Sequence, residues 1–567
     1  MKKSINQLES TNSKLLAGGS FLVSIFMLSG VVTDPVNAPK LFILGTFGFS
    51  ALLVVILFSV NWLLNSFRLP FFSAILFIAA SLNAFIFASG PWSQTLYGNY
   101  GRNTGFLSYI AFVAFFLLAI SCRQKKSFDL LLQSLFTAGV VNVAYCAWVF
   151  LFGDFMAWNN TYNTFLGTFG NPNFIGSFLS IFASVVFAKI LSPDLTNKSR
   201  YLLCGLFVLA VLEMLKTNVM QGKIVLAIGI LLVLGFYLRS KTNNNPLMLG
   251  YVLFVLIIGS LSILAMLQKG PLTNLIYQYT VSLRGQYWKA GINTGFHNLL
   301  NGVGFDGLGD WYRRMRSAKA LVTPGVDVTI NTSHNVFIDM FAFGGLPLFF
   351  SYLLIVAFTL YRIIIVVLKN KLFDVTFVSL VVAWMGYQAQ SLISINQIGL
   401  AIWGWVLSGG IIGYSKLLMN KEDITSAKNE FKNSKSGVVH VTPNLIAGIG
   451  MIIGAIIAVP PLSSDMNYYS SQVSQSAEKL RAATRSSYMH PQNTSLLLSS
   501  IISFEQAGLH DLAYQTAQEA LKFNPNSFET WKVFYFLLKS SPQDKENAVE
   551  NLRRLDPLNQ NVTAAPR

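Results

Sequence analysis

Of 567 residues, 53% are hydrophobic and only 11% charged, with 46 phenylalanines. A chain this apolar at this length is excluded from the soluble globular class and reads as an all-α polytopic membrane protein. The formal net charge of +17 then reports topology and an anionic leaflet rather than a nucleic-acid partner, for which no motif is present.

Taken in chain order, residues 1–14 form a short basic N-terminus. About twenty apolar residues cross the hydrocarbon core as a helix. The sequence predicts about thirteen such spans, at approximately 15–32, 40–60, 69–89, 104–121, 129–152, 173–191, 200–215, 221–238, 247–267, 346–368, 373–393, 396–417 and 443–461. The first has only a weak candidate cleavage site, Val36-Asn37-Ala38, and reads as an uncleaved signal anchor. Gly170-Asn171-Pro172-Asn173 has the chemistry of a helix start, with Asn as cap and Pro in the first turn. Cys122, Cys146 and Cys204 lie in or near spans and read as packing residues.

Lys and Arg fix the expected orientation. With Lys2, Lys3 and Lys14 inside, the same side collects Arg68, Arg123, Lys125, Lys126, Lys189, Lys198, Arg200, Arg239, Lys241, Arg362, Lys369, Lys371, Lys416 and, in a basic linker at 419–442, Lys421, Lys428, Lys432 and Lys435. The opposite short connections hold only Lys40, Arg102, Lys216 and Lys223. The positive-inside rule gives N-in and C-out in a cytoplasmic (inner) membrane. A polar loop at 268–345, a further span at 443–461 and a tail at 462–567 complete the chain, with loop and tail external.

That loop is the one long polar interruption within the apolar part. It concentrates Arg284, Lys289, Arg313, Arg314, Arg316, Lys319 and His334 beside Tyr287, Trp288, Trp311 and Tyr312. A guanidinium stays charged and binds phosphate oxygens as a fork, and an imidazole titrates near neutrality. The loop can therefore hold an anion and supply a base. Its carboxylates, Asp306, Asp310, Asp327 and Asp339, contain no Asp-x-Asp pair, so arginine rather than a metal is expected to balance a leaving anion, with no cofactor. Asp306 and Asp310, four apart, could also meet on a turn and order the loop.

Beyond Pro461 the chain becomes rich in Ser, Gln and Asn. Pro491 and Pro525 are 34 residues apart, with Asp556-Pro557 following 32 later. Ala513, Ala520 and Pro525, with Gly508 in a turn and Trp531 opening the next unit, resemble degenerate tetratricopeptide repeats. A generic helical hairpin domain is the plainer alternative. Either would be a protein-interaction surface.

Arg284, Trp288 and Gly295, then Asn301-Gly302-Val303-Gly304-Phe305, then Thr332-Ser333-His334-Asn335 before Phe343-Gly344-Gly345, resemble the central signature of the O-antigen ligase and O-antigen polymerase superfamily. Pro39-Lys40, Leu96-Tyr97-Gly98, Gly101-Arg102-Asn103-Thr104-Gly105, Gly167 to Asn173 and Gln388-Ala389-Gln390-Ser391 extend the resemblance over about residues 15–418. It implies transfer of a glycan from undecaprenyl diphosphate to an acceptor hydroxyl at the outer face, with His334 as general base and Arg284 as diphosphate ligand. Arg102, Lys223, Gln221, Trp288, Tyr287, Arg313, Arg314 and Asn335 would line the substrates. The chain departs from the family between the seventh and eighth spans, where Lys216 to Lys223 stands in place of an arginine, so Lys223 or Lys216 would supply a point charge only.

Each role has a duller competitor. Arg284 and Arg102 could be snorkelling interfacial cations, His334 could cap the next helix with Ser333, and His297 is the other candidate base. Tyr287 and Trp288 also suit an interfacial aromatic belt. The acceptor stays open between a lipid core, another carrier-linked glycan, and a protein Ser, Thr or Tyr. A polysaccharide or lipid transporter would instead show buried ionisable groups and internal repeats. A membrane scaffold would leave the arginines and histidine unexplained.

Overall fold

The computed structural model describes residues 2–156, 158, 160–242, 244–266, 268–276, 279–419, 442–473, 492–559 and 561–562. The fold is all-α, with no strand among the described residues. Each apolar run overlaps a helix, because the hydrocarbon interior offers backbone N–H and C=O groups no partner but each other. Among the described residues, nine helices are long and apolar enough to cross a membrane: Asn37–Phe58, Arg68–Ile86, Lys125–Phe152, Pro172–Ile190, Met220–Lys241, Asn245–Met266, Val336–Lys369, Ile398–Met419 and Pro443–Ser470. Phe106–Ser121 is apolar but shorter, and Lys2–Ile25, Asn197–Lys216 and Val375–Ser391 account for the remaining runs.

Helix ends differ from expectation in three places. The first helix stops at Ile25, and residues 26–36 form a turn in which Leu28 N–H bonds the Pro35 carbonyl. The last apolar helix continues through Pro460 and Pro461 to Gln472 instead of ending at 461. Asp465 holds that extension, accepting from Asp34 N–H at 2.9 Å and the Tyr100 hydroxyl at 2.6 Å. The span expected at 346–368 starts earlier, at Val336, capped by Asn335, and runs to Lys369 with a break at Gly344-Gly345. The basic linker, but for its end residues, and Pro491 lie outside the described residues.

Ile398–Met419 is apolar on every side and buried from Ile398 to Ser415, so it forms the axis of the bundle. Phe106–Ser121 lies beside it and is itself almost wholly buried. Asn245–Met266 is the opposite case: only Ala265 is buried, leaving its apolar surface for lipid. The last apolar helix crosses Asn37–Phe58 so closely that a Cβ on Gly454 would lie 2.4 Å from the Gly45 carbonyl. Small residues permit this backbone approach, which drives helix association where no hydrophobic effect operates.

The connections sort to two ends. At one, Glu9 accepts from the Arg123 and Gln124 N–H groups, Thr376 donates to Asp129, Tyr414 to Asp374, and Arg239 to the Leu368 carbonyl. At the other, Asn37 donates to the Gly101 carbonyl, Thr104 to Asp306, and Asn335 to the Leu392 carbonyl. The connections rich in Lys and Arg thus share an end, away from the polar loop.

At Gly345 the backbone takes φ 63, ψ −158, and a Cβ there would sit 2.2 Å from the Leu299 carbonyl oxygen. Gly345→Ala is expected to destabilise the protein by about 2–4 kcal/mol, read as a lowered Tm in detergent. An unchanged Tm would show that the break is not required.

The tail folds as two helical hairpins, Thr494–Gln506 with His510–Phe523 and Phe528–Phe536 with Pro542–Leu555. They share a core of their own that includes Leu497, Phe504, Ala513, Ala520, Trp531 and Leu552. Gly508 lies in the first inter-helix turn, and Ser541 with Asp544 forms a capping box at the last helix.

Candidate active site

Asp306 is the hub of the loop end. It is buried, and its carboxylate accepts from Thr104 Oγ1 at 2.9 Å and Asn99 N–H at 3.0 Å, while its carbonyl accepts from Asn99 Nδ2 at 2.6 Å. Burial raises its pKa, and these bonds with the Arg102 charge oppose the rise. Asp306 therefore staples the polar loop to the turn that carries Arg102. Asp310 faces elsewhere, towards Asn524 of the tail at 3.0 Å, so the two aspartates do not meet on a turn.

His334 is clamped on both sides while its ring stays available. Ser333 donates its N–H and its hydroxyl to Asp339, both at 2.7 Å. Asn335 caps the following helix, its Oδ1 accepting from Phe337 and Ile338 N–H, and its Nδ2 holds the Leu392 carbonyl at 2.9 Å. Between these anchors His334 adopts φ 59, a left-handed conformation that is strained for a residue with a Cβ and concentrates at functional sites. The cap belongs to Asn335, not to Ser333 or His334. Asn335→Ala is expected to cost about 1 kcal/mol from the cap, read as a lowered Tm in detergent, and an unchanged Tm would show that the cap is not needed for stability.

The ring's surroundings decide its protonation. Nδ1 lies 3.3 Å from the Thr332 carbonyl. A carbonyl only accepts, so the bond places the proton on Nδ1 and leaves Nε2 as a free acceptor. The Tyr287 ring packs over the imidazole at 5.4 Å. Desolvation, then the charges of Arg102 and Arg284, push the His334 pKa down to about 4. The imidazole is therefore neutral at pH 7. Both guanidiniums are half-buried, and neither makes a hydrogen bond or ion pair among the described residues. Burial lowers the pKa of each arginine, yet from so high a start that both remain charged.

The structure thus brings His334, Arg284, Arg102 and Tyr287 together and sends other expected residues elsewhere. Trp288 is half-buried, its indole N–H without a hydrogen-bond partner among the described residues. Gln221 is buried and donates to Ser177 Oγ at 2.8 Å and Gln390 Oε1 at 3.2 Å, reaching His334 only through the Gln390 to Leu392 segment that Asn335 grips. Lys216 is exposed beside the Phe150 ring, and half-buried Lys223 makes no hydrogen bond or ion pair among the described residues. His297 is exposed, its ring 5.4 Å from that of Trp311.

Arg313 and Arg314 are not placed as free substrate ligands. The Arg313 guanidinium is buried and bonded to Glu529 at 2.7 Å and Asp556 at 3.2 Å, over the Phe528 ring. Arg314 lies over Trp311 and donates to the Asp310 carbonyl at 3.0 Å. Arg316 is fully buried and meets Asp556 at 2.6 Å. Both partners of this cluster come from the tail. Sequence reading missed Asp556 and Glu529 because nothing local marks a pairing across so many residues. It also missed Glu213, buried with both carboxylate oxygens unpaired among the described residues, which a search for acidic residues within apolar runs would have found.

Comparison of the chain with protein-family models and with curated proteins finds no match.

Proposed function

We propose that the protein transfers a glycan from an undecaprenyl diphosphate carrier to an acceptor hydroxyl at the outer face of the cytoplasmic membrane. The observation that carries this reading is a neutral imidazole with Nε2 as acceptor, flanked by two half-buried, charged guanidiniums that make no hydrogen bond or ion pair among the described residues. Anion sites are built this way when the anion is a substrate, because a buried cation without a partner is costly.

In this reading Nε2 of His334 takes the proton of the acceptor hydroxyl as its oxygen attacks the anomeric carbon. The bond from that carbon to the phosphate oxygen breaks, and the electron pair leaves on the diphosphate. Arg284 and Arg102 bind that leaving group, and their contribution grows as charge develops on it. Tyr287 and Trp288 would border the sugar, and Lys223 would supply a further point charge. No metal or cofactor takes part. All thirteen apolar helices would span, with N-terminus inside, loop and tail outside, and the tail a pair of degenerate tetratricopeptide repeats.

The motif resemblance to O-antigen ligases and polymerases supports the same class. The acceptor is the open member of the reaction: a lipid core, a second carrier-linked glycan or a protein hydroxyl. The test is transfer of a carrier-linked oligosaccharide by purified protein in detergent with chelator present, offering the three acceptor types separately. Chelator-resistant transfer to one of them is expected. A folded sample that transfers to none would overturn the reading in favour of transport.

A further inference from the structure

The Leu308–Met315 helix occupies a peculiar position, between the candidate site on one side and the tail on the other. Towards the site it makes three connections. Just ahead of it, Asp306 holds the turn bearing Arg102. From within it, Tyr312 packs on Tyr287, which in turn packs on His334. At its end, the Met315 carbonyl accepts from Asn293 and Ser317 donates to Gln286, both on the helix Tyr279–His297 that carries Arg284. All three groups of the site therefore refer their positions to this one helix.

Its other face is held by the tail. Asp556 takes Arg313 and Arg316 together on one carboxylate oxygen, at 3.2 and 2.6 Å, and both arginines also bond the Val326 carbonyl. The carboxylate and both guanidiniums are essentially inaccessible to solvent. Around this cluster lie weaker ties, Asn524 to Asp310, Thr494 to Gln94 and Ser93 to the Gln492 carbonyl. Buried charges so paired fix one geometry, since any slip leaves a charge without a partner. An independent module waiting for another protein would not need such an anchor.

We propose that the tail is a built-in part of the site and that Asp556 is a positioning residue, setting through Arg313 and Arg316 the place of the Leu308–Met315 helix and so the spacing of Arg102, Arg284 and His334. The activity readout of this inference rests on the transfer reading above. A second readout does not. The charged and titratable groups facing His334 are Arg102 from its turn, Arg284 and Tyr287 from their helix, and the carboxylates Asp306 and Asp339 acting through Arg102. Releasing the helix moves Arg102 away and relaxes the field on the imidazole.

The experiment uses the full chain in detergent with histidine-selective isotope labelling, assigning His334 by its loss in His334→Gln. Asp556→Asn keeps the shape of the side chain and removes its charge. It is expected to raise the His334 titration midpoint by at least one pH unit, and to lower kcat at least tenfold with a smaller change in KM, with partial rescue by Asp556→Glu. A folded Asp556→Asn protein with an unchanged His334 midpoint overturns the positioning role and leaves glycan transfer standing. A shifted midpoint in a protein whose parent transfers no glycan upholds the positioning role and overturns transfer. Should Asp556→Asn fail to fold, Asn524→Ala, which leaves Asp556 in place and removes the bond to Asp310 together with those to Thr494 and Asn526, is read by the same midpoint, and no shift there counts against the proposal.

Discussion

Replacement of His334 by alanine is expected to lower kcat for glycan transfer by about 10²- to 10⁴-fold, the range for loss of a positioned general base. In free energy this is roughly 3–5 kcal/mol of transition-state stabilisation. Binding of the carrier diphosphate should change little, because in the proposed reaction the imidazole would meet the acceptor rather than the leaving group. The two effects are separated by measuring donor affinity directly beside single-turnover rates. Equal losses in both would mean that His334 holds the donor and that another group takes the proton. His297→Ala is the matched control, and it is expected to leave kcat within about twofold, since that ring is exposed beside Trp311.

Loss of Arg284 is the second large effect. Arg284→Ala should reduce kcat/KM by about 10²- to 10³-fold, comparable with removal of one preorganised donor to a developing anion. Arg284→Lys should recover only part of this, because an ammonium restores the charge but not the fork. The pH profile supplies a sharper test. Desolvation, and after it the charges of Arg102 and Arg284, hold the His334 pKa down near 4, so the acid limb of kcat/KM, which reports the free protein, should lie near that pH. Removing one cation relaxes the depression, and the limb should move upward in Arg284→Ala. A bound diphosphate cancels the same charges, so the limb of kcat should lie above that of kcat/KM in the parent protein. Donor binding would then raise the basicity of the group that needs it. Coincident limbs would show that diphosphate does not sit between the two arginines.

The same depression has a sign for stability. The folded imidazole binds its proton at lower pH than the unfolded one, whose value lies near 6.5. Stability contributed by neutral His334 is thus complete above about pH 6.5 and is lost as pH falls towards 4.

Apolar runs revealed the helices because a membrane leaves so little choice of secondary structure. Asn171 and Pro172 were legible as a helix start, and Asn171 does accept from Asn173 N–H. The residue types at the candidate site were legible as well, since His334, Arg284 and Arg102 stand out among polar groups in an apolar chain. Their mutual placement was not, because it is set by Asp306 bonding a turn some 200 residues earlier in the chain. The loop arginines misled for the same reason. Arg313 looked like a ligand for phosphate or glycan until its carboxylate partners arrived from the tail. Pro461 misled in a different way: a change of composition read as a helix end, where Asp465 in fact extends the helix past it.

The order of the segments along the chain carries a consequence for biosynthesis. The helix that crosses Asn37–Phe58 through Gly454, and the hairpins that follow it, emerge from the ribosome after every helix and loop they contact. Until then Arg313 and Arg316 have no acidic partner and the Leu308–Met315 helix has no outer support. On the transfer reading, a nascent chain that already holds His334 and both arginines would be silent until the hairpins that carry Asp556 are made and dock.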